Sequence, residues 1–148
     1  EVGSCEPERP VPTLLIHGTD DQIVPFDGGG LHGFRSVQDT LDAWLSINRC
    51  DTENSGFVEL QNAMQKDGTR TGVSIYSQCE TGAEVRLYAI EGGGHTWPGM
   101  RSRYPMVLGE DVSADTLVYR SQVQAMGLIA QDFNATDTVW EFFRRFRR

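Results

Sequence analysis

The feature that most restricts the fold is a short apolar run near the start of the chain. Residues 11–16 read VPTLLI and are closed by His17 and Gly18. An apolar run of this length, bounded by turn-forming residues, is typical of a strand buried on both faces. Such strands occur in parallel sheets that helices cover on both sides. The sequence therefore predicts an α/β fold.

The other periodic segments alternate between strand and helix patterns. Apolar residues at helical spacing predict a helix from about residue 37 to residue 50, with Ser36 as its N-cap and Asp39 as a weak capping-box partner. Strands are predicted over residues 57–60, 72–76 and 85–90, further helices over 117–126 and 135–146, and irregular chain over 1–10 and the rest of 51–70. Asn134 or Thr136 is expected to cap the final helix. The order indicates an α/β sheet, although two main strands are too few to stand alone.

Composition narrows the classes of partner. The 148 residues contain 13 Lys and Arg against 21 Asp and Glu, which gives a formal net charge of −8. This balance argues against a nucleic-acid or anionic-membrane partner, because phosphate binding relies on clustered cations. The basic RRFRR at residues 144–148 is expected to form a solvated helix face. No run of 18 apolar residues occurs, so no membrane-spanning segment is predicted.

Two loops carry residues suited to chemistry. The first, HGTDDQIVP at residues 17–25, follows the predicted buried strand and holds Asp20 and Asp21. Functional groups gather at the carboxyl ends of strands in α/β sheets, and a carboxylate there can orient an imidazole and stabilise its charged form. Either aspartate could do so. The alternative is that an aspartate after a strand only forms a turn or a helix cap.

The second loop is GGGHTWPG at residues 92–99, directly after another predicted strand. Three consecutive glycines cost conformational entropy and disfavour regular structure. They are expected to adopt unusual dihedrals in a tight turn that presents His95 at the same end of the sheet as the aspartate loop. A lone histidine is more often structural, but the pairing of the two loops favours a functional role.

These two loops resemble those of a known enzyme family. HGTDDQIVP is similar to the HGxxDxxVP pattern of α/β-hydrolases, and GGGHTWPG resembles the histidine loop of the polyhydroxybutyrate depolymerase and feruloyl esterase family of secreted esterases. The resemblance puts the catalytic acid on Asp21 and the catalytic base on His95, in the chain order of that fold. It covers nearly the whole chain except residues 100–125. Further matches are PFDGG at 25–29, Trp44, Asn48 and Cys50, Tyr76 and Cys79, and WEFF at 140–143.

The resemblance also implies what the sequence lacks. None of the nine serines has glycine two positions before and two positions after it, so no GxSxG nucleophile elbow is present. Residues 1–148 are therefore expected to be the C-terminal portion of a single α/β-hydrolase domain, with the catalytic serine upstream of Glu1. The chain alone is predicted to have no esterase activity. As part of the full-length enzyme it would be a serine carboxylester hydrolase.

Substrate, cofactor and compartment follow from the same resemblance. It implies polyester or plant cell-wall esters as substrates, and no metal or organic cofactor. Trp97 and Phe26 are candidates to line the ester pocket, with simple packing as the alternative. The resemblance implies a Cys50–Cys79 disulfide, against two buried free thiols, and leaves Cys5 to bridge to the absent portion. Disulfides indicate a secreted or periplasmic protein.

Two other functions compete with this interpretation. A prolyl-oligopeptidase-type peptidase shares the aspartate loop, although the GGGHTWPG loop and the cysteine pair argue against it. A non-catalytic binding module could also retain a hydrolase-like fold. The sequence upstream of Glu1 would distinguish the binding module from an enzyme, because only an enzyme needs the serine elbow.

Overall fold

The computed structural model describes residues 6–100 and 126–146. Its main elements are β1 (Thr13–Gly18), α1 (Val37–Ile47), β2 (Gly56–Glu59), β3 (Arg70–Tyr76), β4 (Val85–Glu91) and α2 (Ala135–Phe143). Single turns of 3₁₀ helix lie at Glu80–Gly82 and Arg144–Phe146. Cys5 and all but the last residue of the helix predicted over 117–126 fall outside the described residues. Within those residues, no helix is both long enough and apolar enough to cross a membrane.

The four strands form one mixed sheet in the order β1-β4-β3-β2. β1 and β4 are parallel, with Thr13 opposite Val85 and Gly18 opposite Ile90. β3 is antiparallel to both β4 and β2. The predicted α/β class is therefore confirmed, in a sheet that helices flank. β1 lies at one edge, and no described strand pairs with its outer side. The prediction that this strand is buried on both faces is wrong, because only Thr13 and Gly18 are buried and the four residues between them are partly exposed.

The helix predicted after the first loop is confirmed as α1. Ser36 caps it by accepting a hydrogen bond from the Asp39 amide at 2.9 Å. Its apolar stripe packs on the sheet, which buries the side chains at the contact: Val37, Leu41 and Leu45 from α1 with Val85 and Leu87 from β4. The spacing of the apolar residues is sufficient to predict α1, because the residues of one helix face recur at short regular intervals along the sequence.

Asn48 ends α1 and is fully buried. Its side-chain oxygen accepts a hydrogen bond from the Val11 amide at 2.7 Å, and its side-chain nitrogen donates to the Val11 carbonyl at 2.8 Å. The side-chain amide of Asn48 therefore makes the pair of hydrogen bonds that a neighbouring strand would make to Val11, and it fixes the chain that enters β1. A polar residue at an apolar position of the stripe is explained by this pair of hydrogen bonds, which satisfies its buried atoms.

The expected Cys50–Cys79 disulfide is present. It joins the end of α1 to the segment that follows β3. Two backbone hydrogen bonds run beside it, from Asp51 to Gln78 and from Glu80 to Asn48. The bond closes a loop of weakly patterned chain that contains β2, and such a cross-link stabilises the fold mainly by restricting the unfolded chain.

The final helix is confirmed as α2, and Asn134 is its N-cap, accepting from the Asp137 amide at 3.1 Å. Val139, Phe142, Phe143 and Phe146 are spaced in the sequence as one apolar stripe, and the structure buries only part of it. Phe142 is buried and its ring packs against that of Phe146. Phe143, in contrast, is 46% exposed.

Arg145 corrects the expectation that the terminal arginines only form a solvated face. Its guanidinium makes two hydrogen bonds to the carboxylate of Glu84, at 3.0 and 3.1 Å, and lies over the rings of Phe142 and Phe146. Arg86 contacts the same carboxylate. Because Glu84 is buried just before β4, its charge needs cationic partners, and the paired fork of an arginine supplies one.

Candidate active site

Parallel pairing brings the two predicted loops to one edge of the sheet. The chain leaves β1 and β4 at adjacent carboxyl ends, with Asp21 three residues after β1 and His95 four residues after β4. Backbone hydrogen bonds continue between the loops, from the Thr19 amide to the Ile90 carbonyl and from the Asp20 amide to the Gly93 carbonyl, each at 2.9 Å. Backbone hydrogen bonds therefore hold the two loops together independently of the contact between their side chains.

The structure brings Asp21 and His95 into direct contact. His95 Nδ1 lies 2.8 Å from Asp21 Oδ2. Asp21 is only 7% exposed, whereas Asp20 is exposed and its carboxylate accepts a hydrogen bond from the neighbouring Thr19 hydroxyl. Of the two candidate aspartates, it is thus Asp21 that pairs with the histidine.

The second oxygen of Asp21 is held by its own loop. Oδ1 accepts hydrogen bonds from the Ile23 amide at 2.9 Å and the Val24 amide at 2.8 Å. Burial raises the pKa of the Asp21 carboxyl, but the hydrogen bonds from the Val24 amide, His95 and the Ile23 amide outweigh it and hold this pKa below its ordinary value of 3.8. The site therefore keeps a carboxylate ion beside the imidazole at neutral pH.

This lowered pKa predicts how stability depends on pH. A carboxyl that binds its proton less tightly when folded contributes stability fully above its unfolded-state pKa, and loses it as pH falls through the lower folded-state pKa. We expect Asp21→Asn to lower the free energy of unfolding by about 1–3 kcal/mol at pH 7, because charged hydrogen bonds are lost. The deficit should shrink as pH falls below about 4, since the unfolded-state value is close to 3.8.

Urea unfolding at a series of pH values from 7 to 3 measures this dependence. Asp20→Asn is the matched control, because it removes an adjacent, exposed carboxylate. A stability deficit of Asp21→Asn that stays constant across the series would contradict the prediction.

The imidazole of His95 is partly exposed to solvent. The side chain is 43% exposed, and Nε2 makes no hydrogen bond to any residue that the structure describes. An ionised carboxylate at Nδ1 can only accept, so the neutral ring carries its proton on Nδ1 and its lone pair on Nε2. The exposed nitrogen is then able to take a proton from a hydroxyl that comes within hydrogen-bonding distance of it.

The three glycines before His95 only partly adopt the unusual dihedrals that the sequence predicts for them. Gly92 has a positive φ of 72° and approaches the Gly68 carbonyl, so its backbone is unusual as predicted. Gly93 and Gly94 do not have positive φ, and the prediction is wrong for them. They are needed for close approach: a Cβ on Gly94 would overlap the backbone of Gly127. One on Gly18 would overlap Gly93 in the same way.

The two candidate pocket residues are placed differently. Trp97 is 47% exposed, and its indole N–H donates to the Thr136 hydroxyl of α2 at 3.0 Å. Phe26 packs against the core beneath α1, and its ring meets the edge of His17 at a centroid distance of 5.8 Å. The contacts of Phe26 are those of a packing residue, whereas much of the Trp97 indole is exposed to solvent. Substrate binding by either stays a prediction.

A cavity of about 450 Å³ is lined in part by His17 and Val24, and neither Asp21 nor His95 lines it. It is bounded by the end of β1, the loop that precedes α1 and the start of α1, and its lining residues are Leu15, Ile16, His17, Val24, Gly33, Phe34, Arg35, Val37 and Thr40. Three of its lining residues, Leu15, Ile16 and His17, belong to β1. No group of three metal-ligating side chains occurs within residues 6–100 and 126–146.

One residue of the site is missed by the sequence reasoning. His17, the penultimate residue of β1, places Nε2 2.8 Å from the Val24 carbonyl and 3.5 Å from Asp21 Oδ2. The only available signal was its position four residues before Asp21. A histidine at the end of a buried strand gives no indication of its partners when the path of the following loop is unknown.

Two curated proteins are similar to the chain. Feruloyl esterase B of Piromyces equi is 29% identical over 100 residues, which cover 63% of this chain and 17% of that protein. A protein of Nocardia uniformis subsp. tsuyamanensis named Putative esterase NocK is 29% identical over 117 residues, which cover 70% of this chain and 33% of that protein. The chain thus spans about a sixth and a third of these two relatives. No protein-family model matches it. No solved structure matches it either. The matches support a general esterase-like relationship.

Proposed function

We propose that this chain supplies the acid and base of a serine carboxylester hydrolase with an α/β-hydrolase fold. The observation that carries the proposal is the 2.8 Å contact between His95 Nδ1 and the buried carboxylate of Asp21, at adjacent ends of parallel strands. The esterase names of two similar proteins favour an ester over a peptide as the substrate. They therefore support this function over a prolyl-oligopeptidase-type peptidase.

The mechanism follows from the two ring nitrogens of His95. Nε2 takes the proton of the serine hydroxyl as the oxygen attacks the ester carbonyl, and later returns a proton to the alcohol leaving group. Asp21 holds the ring in the required tautomer and stabilises the imidazolium that forms. The Ile23 and Val24 amides keep this carboxylate ionised, so the proton stays on the histidine.

The nucleophile and oxyanion hole are proposed to lie in a portion upstream of Glu1. The sequence of residues 1–148 has no GxSxG serine, and the chain spans at most a third of its two relatives. The outer edge of β1, with which no strand among residues 6–100 and 126–146 pairs, supports the same idea. An apolar strand with an unpaired edge is a template for pairing, and here the adjacent cavity would also be covered by a neighbouring element.

The substrates proposed are polyester or plant cell-wall esters, with the exposed indole of Trp97 as a contact for them. One of the two relatives carries the name feruloyl esterase, which favours the cell-wall class. The Cys50–Cys79 disulfide is expected to persist only in an oxidising compartment, so we propose a secreted or periplasmic location.

The isolated 148-residue chain and the full-length protein that contains it test this assignment. We expect the full-length protein to hydrolyse p-nitrophenyl acetate and to be labelled by a fluorophosphonate on a serine upstream of Glu1. The isolated chain should do neither, because it has no activated serine. Robust hydrolysis by the isolated chain, abolished by His95→Ala, would overturn the division of the site between two portions. A full-length protein with neither activity nor labelling would overturn the esterase assignment.

A further inference from the structure

We infer that His17 is a positioning residue that holds the Asp21 carboxylate in place for His95. This inference deepens the proposed function and rests on it. His17 lies on β1 itself, so its ring starts from a rigid element and reaches across the loop that carries Asp21. Its Nε2 is 2.8 Å from the Val24 carbonyl oxygen and 3.5 Å from Asp21 Oδ2.

The contact with Val24 fixes the proton on the His17 ring. A carbonyl oxygen can only accept a hydrogen bond, so Nε2 must carry a hydrogen and donate it. At 2.8 Å this is a well-formed hydrogen bond, whereas 3.5 Å to Asp21 is beyond one. His17 therefore leaves Asp21 Oδ2 to His95 and acts on the carboxylate through the loop.

Val24 transmits this restraint. Its carbonyl accepts from His17, and its amide donates to Asp21 Oδ1 at 2.8 Å. One residue is thus tied to β1 on one side and to the carboxylate on the other. Because Oδ1 is fixed by Val24 and Ile23, the second oxygen can point only towards His95. The rotamer of the aspartate is set by this chain of contacts.

The His17 ring is itself held by packing. Its side chain is 21% exposed, and Phe26 meets it edge-on at a centroid distance of 5.8 Å with an interplanar angle of 80°. The Phe26 carbonyl accepts from the amide of Val37, the first residue of α1, at 2.8 Å. Through Phe26, the core beneath α1 therefore restrains the His17 ring. This contact accounts for the packing position of Phe26.

The restraint has a kinetic consequence. Without the Nε2 hydrogen, Val24 loses its tie to His17, and the carboxylate of Asp21 can leave its alignment with the imidazole. A displacement of about 1 Å in a catalytic group can cost about 100-fold in rate. The loss falls on kcat, because His17 is proposed to act on the acid and base and not on substrate binding.

Three variants of the full-length protein test the inference. His17→Leu removes the donor and keeps an apolar side chain against Phe26. His17→Gln keeps an N–H near the position of Nε2. His32→Leu is the matched control, because His32 is an exposed histidine that meets Phe34 edge-on as His17 meets Phe26.

Two measurements are made on each variant: the proton NMR resonance of the His95 Nδ1 hydrogen, and kcat and KM for p-nitrophenyl acetate. We expect His17→Leu to lose or broaden the resonance through solvent exchange and to lower kcat by about 10- to 100-fold with KM little changed. His17→Gln should restore both, and His32→Leu should resemble the wild type.

The inference is overturned if His17→Leu keeps the resonance, or if His17→Gln is as defective as His17→Leu. The NMR measurement does not depend on activity. If the wild-type protein hydrolyses no ester, the proposed function fails, while the resonance still decides whether His17 positions the Asp21–His95 pair.

Discussion

His95→Ala in the full-length protein is expected to lower kcat for ester hydrolysis by about 10⁶-fold, the scale seen when the base is removed from a serine, histidine and aspartate that act as a unit. The reason is that Nε2 is the proposed acceptor of the serine proton, and no second base replaces it. His17, the nearest other imidazole of the site, already donates its Nε2 hydrogen to a backbone carbonyl. Steady-state kinetics with p-nitrophenyl acetate measure the loss.

Asp21→Asn gives the partner measurement and should lower kcat by about 10⁴-fold. An asparagine can present its amide to Nδ1 and favour the wrong tautomer of His95. The matched control is Asp20→Asn, whose carboxylate lies one residue away and hydrogen-bonds only with Thr19 among the described residues. His32→Ala is the control for His95.

Combining the two active-site substitutions should be little worse than His95→Ala alone, because the residues act together. Losses that multiply, or an Asp20→Asn variant as impaired as Asp21→Asn, would contradict the proposed pair.

Gly18→Ala is expected to cause the largest loss of stability, about 3 kcal/mol or more in the free energy of unfolding. A Cβ at position 18 would overlap the carbonyl group of Gly93, which is backbone and cannot turn aside as a side chain could. The aspartate and histidine loops would have to separate, so the contact between Asp21 and His95 should lengthen as well. Urea denaturation gives the stability, and the His95 Nδ1 proton resonance reports the contact.

Gly56→Ala is the matched control. Gly56 lies in β2 without a positive φ, and its nearest neighbours to an added Cβ are atoms of Ile75 at 3.9 Å, an ordinary contact. We expect it to be neutral or stabilising by up to about 1 kcal/mol, because alanine restricts the unfolded chain. Equal stability losses at positions 18 and 56 would show that close approach is not the reason for glycine at position 18.

The elements that the sequence predicts are those with a local signal. The apolar spacing of α1 and its Ser36 cap lie within a dozen residues, and so do the alternations of β3 and β4. The contacts that the sequence does not predict join distant segments. Asn48 binds the backbone of Val11, 37 residues away, and Arg145 binds Glu84, 61 residues away. Neither pair has a periodicity that could reveal it.

The contacts of the candidate site also divide into those that the sequence predicts and those that it does not. The meeting of Asp21 and His95 is foreseeable because parallel strands end together, and a resemblance to a known motif chooses between Asp20 and Asp21. The need for glycine at position 18 depends on how closely the aspartate and histidine loops approach. That approach is set by the register of β1 on β4, which the sequence alone does not specify.

The backbone hydrogen bonds between the two loops have a consequence for how an enzyme of this kind would be assembled. Since the Thr19 and Asp20 amides are hydrogen-bonded to the carbonyls of Ile90 and Gly93, the proposed acid and base are held in a fixed relative position by the backbone of their own loops. The portion that carries the proposed nucleophile and oxyanion hole would then need to be aligned with His95 Nε2 alone, because the position of Asp21 relative to His95 is already fixed.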